Sequence, residues 1–81
     1  MKIIKFHTKN CGACQMLDKS LEQATNLPEI EKVDCEEMPE LAGEFGVFQV
    51  PTMVLLDDNN EEIKRHTGFM AKAQLESWVN V

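Results

Sequence analysis

The chain is short of basic residues, of cysteine and of long apolar runs, and each shortage closes off a class of function. Eight Lys and Arg stand against fourteen Asp and Glu, a formal net charge of −6. Such an acidic surface disfavours nucleic acid and anionic membranes as partners and mildly favours basic protein surfaces. No apolar run approaches the roughly 20 residues of a membrane span. Met1-Lys2-Ile3-Ile4-Lys5 is too short for the apolar stretch of a secretory leader and offers no small-residue cleavage site. A cytoplasmic location is therefore expected. Three cysteines in 81 residues are too sparse, and odd in number, for a secreted disulfide scaffold. With four glycines and three prolines, no linker, repeat or low-complexity tract stands out. A phosphate-cradling glycine loop and a serine triad are lacking too, as is any second CxxC or His-x-x-x-His to complete a zinc site. Glu36-Glu37 and Asp57-Asp58 lack the spacing of a calcium loop and read as solvated faces. Neither a metal nor a bound cofactor is expected.

What remains is ordinary for one soluble globular domain spanning residues 1–81: 43% hydrophobic and 27% charged residues. A domain this size buries a small core, and its net stability should be modest. Lys2 to Phe6 reads as a strand and His7 to Asn10 as the loop after it. Cys11 to about Thr25 reads as a helix, with Cys14, Leu17, Leu21 and Ala24 on one face and Asp18, Lys19, Glu22 and Gln23 in solvent. Asn26-Leu27-Pro28 ends it. Ile30 to Cys35 is a second strand. Pro39 opens a short helix that turns Leu41, Ala42 and Phe45 inward and stops at Gly46. Thr52 to Leu56 and Glu62 to Thr67 form a hairpin about the polar turn Asp57-Asp58-Asn59-Asn60. Ala71 to about Asn80 is the last helix, with Ala71, Leu75, Trp78 and Val79 inward. The order β-α-β-α-β-β-α predicts an α/β fold. A right-handed crossover makes the first two strands parallel neighbours, and the hairpin completes a four-stranded mixed sheet with helices on both faces.

The chemistry centres on Cys11-Gly12-Ala13-Cys14, between the first strand and its helix. Two thiols two residues apart can close into a disulfide and reopen with little backbone movement. At a helix start, the first thiol meets the positive end of the helix dipole, an interaction of about 0.3–1 kcal/mol that favours thiolate over thiol. Helical phase turns Cys14 towards the core and leaves Cys11 at the exposed tip. A structural cysteine pair or half of a zinc site are the alternatives to a redox pair.

Four segments in order resemble the thioredoxin family over essentially the whole chain. Cys11-Gly12-Ala13-Cys14 looks like its active-site motif. Lys32-Val33-Asp34-Cys35-Glu36-Glu37-Met38-Pro39-Glu40-Leu41-Ala42 resembles its next strand and the turn into the following helix. Phe45-Gly46-Val47-Phe48-Gln49-Val50-Pro51-Thr52 looks like the stretch leading to its cis-proline, and Thr67-Gly68-Phe69 with Ala73-Gln74-Leu75 like its glycine and final helix. The N-terminal strand and helix of full-length thioredoxins have no counterpart, and the size is that of glutaredoxins. Around the proline, Val50-Pro51-Thr52 departs from the Thr-Val-Pro usual in glutaredoxins. Asn10 replaces the family's tryptophan before the first cysteine, Ala13 the proline between the cysteines, and Lys5 the buried acid beneath the second cysteine.

The resemblance implies a minimal thioredoxin fold and a thiol–disulfide oxidoreductase. Cys11 is then the nucleophile and Cys14 the resolving thiol. Gly12, Ala13, Val50, Pro51 and Gly68 border the substrate, with Pro51 cis and the Val50 backbone free to pair with an extended peptide. Lys5 either snorkels to the surface at the strand end, the simpler reading, or lies partly buried and tunes the thiols, as a cation near Cys11 or as a proton acceptor for Cys14. His7 is a solvated loop residue or a rim contact that perturbs the thiolate. Cys35 packs as a small hydrophobe, and His66 lies on the surface. The implied partners are disulfide-containing proteins, ribonucleotide reductase among them, with a thioredoxin reductase or the glutathione system as electron donor. The protein is expected to be a monomer. A glutathione-dependent glutaredoxin-like donor and a non-catalytic metal-binding or interaction module are the rival readings.

Overall fold

The computed structural model describes residues 1–80; Val81, the last residue of the expected domain, lies outside the described residues. Seven elements follow in the expected order: β1 (Lys2–His7), α1 (Gly12–Gln23), β2 (Glu29–Asp34), α2 (Pro39–Glu44), β3 (Thr52–Leu56), β4 (Glu62–Thr67) and α3 (Lys72–Trp78). The strands lie side by side as β2-β1-β3-β4. β1 runs parallel to β2 and antiparallel to β3, and β3 pairs antiparallel with β4.

Strand alternation divides the core in two. Ile3 and Lys5 of β1 point to one side of the sheet, Ile4 and Phe6 to the other. On the first side Ile3, Met53 and Leu55 pack against Leu17 and Leu21 of α1 and Leu75 and Val79 of the α3 end. On the second, Ile4, Phe6, Val33, Val54 and Leu56 pack against Ala42 of α2, with Phe45 half-buried beside them. The Phe6 and Phe45 rings meet at 5.5 Å. β3 is buried along its whole length because helices cover both faces.

Several boundaries differ from the sequence reading, each for a local reason. Cys11 is the N-cap of α1 and has extended backbone angles. α1 stops at Gln23 because Ala24 is extended and Asn26 takes a positive φ of 59°. Thr25 then donates from its amide and hydroxyl to Glu76 Oε2 at 2.8 and 3.1 Å, tying this turn to α3. β2 is shifted one residue earlier, so Cys35 sits in the turn beyond it. Ala71, expected inward, is the exposed N-cap of α3; Gln74 reaches back to its amide at 2.9 Å.

Candidate active site

The sheet register collects the predicted site residues at one end of the molecule. Parallel pairing sets His7, the last residue of β1, beside Asp34, the last of β2. Antiparallel pairing sets Phe6 beside Thr52 at the start of β3, and Thr52 beside Thr67 at the end of β4. The loop carrying the cysteines, the turn at Cys35, the Val50-Pro51 segment and Gly68 therefore all leave the sheet at the same end of its strands. Hydrogen bonds fix these loops to one another. Cys35 N–H donates to His7 C=O at 2.9 Å, and Gly68 N–H to Pro51 C=O at 2.8 Å. Thr52 Oγ1 donates to Gln49 C=O at 2.7 Å and lies 3.1 Å from Thr67 Oγ1. The Val50-Pro51 peptide is cis, with Pro51 buried and Val50 half-buried. Gly68 has a φ of 106°, a conformation a side chain would strain.

Cys11 and Cys14 are joined as a disulfide, their Cα atoms 5.2 Å apart. Capping brings them together: Cys11 Sγ accepts the Cys14 amide hydrogen at 3.1 Å. The sulfur thus serves one of the helix's four unpaired N-terminal donors. The same donor and the helix dipole favour negative charge on Cys11 when the bond is open. Exposure differs sharply between the two. Cys11 is half-buried and Gly12 and Ala13 are exposed, whereas Cys14 is 2% exposed. One sulfur can be reached from outside, and the other lies directly behind it.

Lys5 does not snorkel to the surface. It is 1% exposed, and its Nζ donates to Cys14 C=O at 3.2 Å and to Asp18 Oδ1 at 2.7 Å. Asp18 is correspondingly not a free solvated residue. Its Oδ1 also meets Lys32 Nζ at 3.2 Å. Partial burial pushes the Asp18 carboxyl up, but the two ammoniums more than offset this and hold it below the usual carboxylate range. Two signals for this cluster were present in the sequence. Lys5 shares the parity of Ile3, hence the side of the sheet that α1 covers. Asp18 follows Cys14 by four residues and so lies one turn along the same ridge. Lys32 joins because it is the cross-strand partner of Lys5 in the parallel register.

Cys35 packs, half-buried, against the core cluster that contains Phe6 and Val33. Burial pushes its thiol pKa up, and the charges of Asp34 and Glu36 push it further. That is the environment of an inert packing residue. His7, expected in a solvated loop, is instead the half-buried last residue of β1, drawn into the strand by its pairing with Asp34, and His66, expected on the surface, is half-buried with its Nε2 3.3 Å from Phe69 C=O. Among the described residues no group of three or more His, Cys, Asp or Glu is placed to hold a metal ion. No helix among them is long and apolar enough to cross a membrane.

A CxxC disulfide at a helix N-terminus, set on a four-stranded mixed sheet beside a cis-proline loop, defines a thiol–disulfide oxidoreductase. The family model for thioredoxin matches residues 1–81. The SPbeta prophage-derived thioredoxin-like protein YosR of Bacillus subtilis is 44% identical over 69 residues, covering 85% of this chain and 84% of its own. The thioredoxin of Bacillus subtilis is 35% identical over 74 residues, 86% of this chain and 70% of its own. Among solved structures, a mutant thioredoxin from Halobacterium salinarum NRC-1 superposes with a TM-score of 0.86 at 30% identity, covering 96% of this chain and 70% of that one. The chain belongs to the thioredoxin family.

Proposed function

We propose that this protein reduces disulfides in protein substrates by dithiol exchange, with Cys11 as nucleophile and Cys14 as resolving thiol. The observation that carries the assignment is the contrast in setting. Cys11 is reachable and its sulfur accepts an amide hydrogen, while Cys14 is buried one turn behind it. In the reduced protein the Cys11 thiolate attacks a substrate disulfide and forms a mixed disulfide. Cys14 then attacks Cys11 Sγ, releases the substrate thiol and closes the Cys11–Cys14 bond. No bound cofactor is required, because the two thiols carry both electrons.

Exposed Gly12 and Ala13 leave the nucleophile unscreened. Val50, before buried Pro51, offers its backbone to an extended substrate segment, Gly68 keeps the neighbouring wall low, and His7 contributes at the rim. The single domain acts as a cytoplasmic monomer. Electrons come from a flavoprotein thioredoxin reductase or from the glutathione system, and ribonucleotide reductase is among the candidate acceptors.

The test is to equilibrate the protein with redox buffers, trap free thiols and count them. A two-electron transition at about −270 mV supports a thioredoxin-type reductase. One between roughly −230 and −200 mV moves the donor to glutathione. If no transition occurs, exchange is not its chemistry, and a metal-binding or interaction role takes its place. Cys14→Ser should accumulate a mixed disulfide through Cys11 with a model protein substrate, and Cys11→Ser should accumulate none.

A further inference from the structure

Resting on the dithiol-exchange reading, we propose that Lys5 is a positioning cation for Cys14. Held by Asp18 and reinforced by Lys32, it stabilises the Cys14 thiolate electrostatically, so that the resolving thiol gives its proton to water and not to a buried base.

The ion pair favours the cation over the base. Both partners of Lys5 Nζ, the Cys14 carbonyl and the Asp18 carboxylate, are acceptors. A neutral amine could donate to both as well, but the carboxylate at 2.7 Å favours the ammonium, which has three donors and no lone pair to aim at the thiol. Asp18 is no better as a base, since the two ammoniums at its Oδ1 lower the carboxyl's affinity for a proton. What the cluster does offer is charge. Two cations against one anion leave a net +1. Covalent geometry keeps the Lys5 ammonium, bonded to the Cys14 carbonyl, within about 8 Å of the Cys14 sulfur. At 1% exposure the Lys5 field is weakly screened.

Other charges around this position are few. β1 contributes Lys5 and, at its end, half-buried His7; α1 contributes Asp18; β2 contributes Lys32 and, at its end, buried Asp34, whose Oδ1 accepts from the Glu36 and Glu37 amides. β3 places Met53, an uncharged residue, beside Lys5. On α3, Lys72 is exposed and Glu76 is engaged by Thr25 at the far end of α1.

In the resolving step the Cys14 proton has passed to water. The Cys14 thiolate attacks Cys11 Sγ, and the bond between Cys11 and the substrate sulfur breaks. The electron pair leaves on the substrate sulfur, which takes a proton from water. The protein dithiol is oxidised and the substrate disulfide reduced, two electrons each. A field that favours the attacking thiolate does here what proton removal by an acid's conjugate base would otherwise do.

The experiment follows the Cβ resonance of isotopically labelled cysteine in the Cys11→Ser protein as the pH is raised. It reads Cys14 ionisation without needing access to the buried sulfur. Lys5→Met should raise the Cys14 midpoint by about one pH unit, roughly a tenfold loss of thiolate at a given pH. Lys32→Gln should raise it by less. Lys5→Arg should stay near the parent, because a guanidinium supplies the charge but cannot serve as a base. An unmoved midpoint in Lys5→Met overturns the proposal, and so does Lys5→Arg shifting as far as Lys5→Met. Should the Lys5 variants not fold, Lys32→Gln at a half-exposed position carries the test, and an unchanged midpoint there overturns it. No substrate or reductase is in the tube, so this result stands or falls separately from the disulfide-reductase reading.

Discussion

Cutting Asp18 back to alanine should destabilise the protein more than replacing Lys5 with methionine, although Asp18 is the more exposed partner, 30% against 1%. Lys5→Met removes a buried ammonium and leaves an apolar chain of similar length in an apolar setting. The carboxylate it deserts is part-solvated and keeps Lys32 at 3.2 Å. Exchanging a buried charge for a packed hydrophobe is often neutral, so the expected change is within about 1 kcal/mol. Asp18→Ala does the reverse. It strands the Lys5 ammonium with only the Cys14 carbonyl at 3.2 Å. Removing one partner of a fully buried pair costs roughly 3–5 kcal/mol. Solvent screening at Asp18 reduces that to about 2–3 kcal/mol. With a urea slope near 1 kcal/mol/M for so small a protein, Asp18→Ala should unfold about 2–3 M earlier and Lys5→Met within about 1 M of the parent. Both are read by urea denaturation of the oxidised protein at neutral pH. Lys5→Met proving as costly as Asp18→Ala would refute the reasoning.

The same pair predicts a pH dependence. The Asp18 pKa is lower in the folded chain than in the unfolded one. Its contribution is therefore complete above the unfolded value of about 3.9 and is lost as pH falls through the folded value. The stability gap between parent and Asp18→Ala should be constant above about pH 5 and narrow below about pH 4; a gap that widens in acid contradicts the sign. Gly68→Ala should cost about 1–2 kcal/mol, because its positive φ strains any side chain although the space is open. Gly12→Ala, equally open but at an ordinary φ, should change stability by less than about 0.5 kcal/mol, and denaturation of the two variants side by side checks both. Cys35→Ala should leave the Cys11–Cys14 redox equilibrium within about twofold of the parent in thiol-trapping titrations, since the thiol is half-buried and held protonated.

The element order and the redox pair were legible because their signals are local. Alternation marks β1, helical spacing marks α1, and two cysteines flanking Gly12-Ala13 at a helix start announce their chemistry. Pro39 and Gly46 bracket α2 for equally local reasons. Lys5 was harder. A lysine at a strand end more often extends to solvent, and what keeps this one inside is a carboxylate on another element and a register that adds Lys32 from a third. Parity and the four-residue step from Cys14 to Asp18 point to the contact only once α1 is known to lie on that side of β1. Likewise, nothing near Ala71 in the sequence says that the helix begins one residue later; the Gln74 side chain returning to the Ala71 amide decides it.

Trp78 lies in the last turn of α3, half-buried against the cluster around Leu75, with Lys64 Nζ 5.5 Å from its ring centroid. It is the sole tryptophan, and the chain has no tyrosine. Intrinsic fluorescence excited at the indole band therefore comes from one place, the seam where α3 closes over the sheet. Asn10 stands where the family carries an indole next to the first cysteine, so the emission is not tied to a chromophore beside the disulfide. An emission change in this protein reports the undocking of α3, and the thiol chemistry has to be watched by other means.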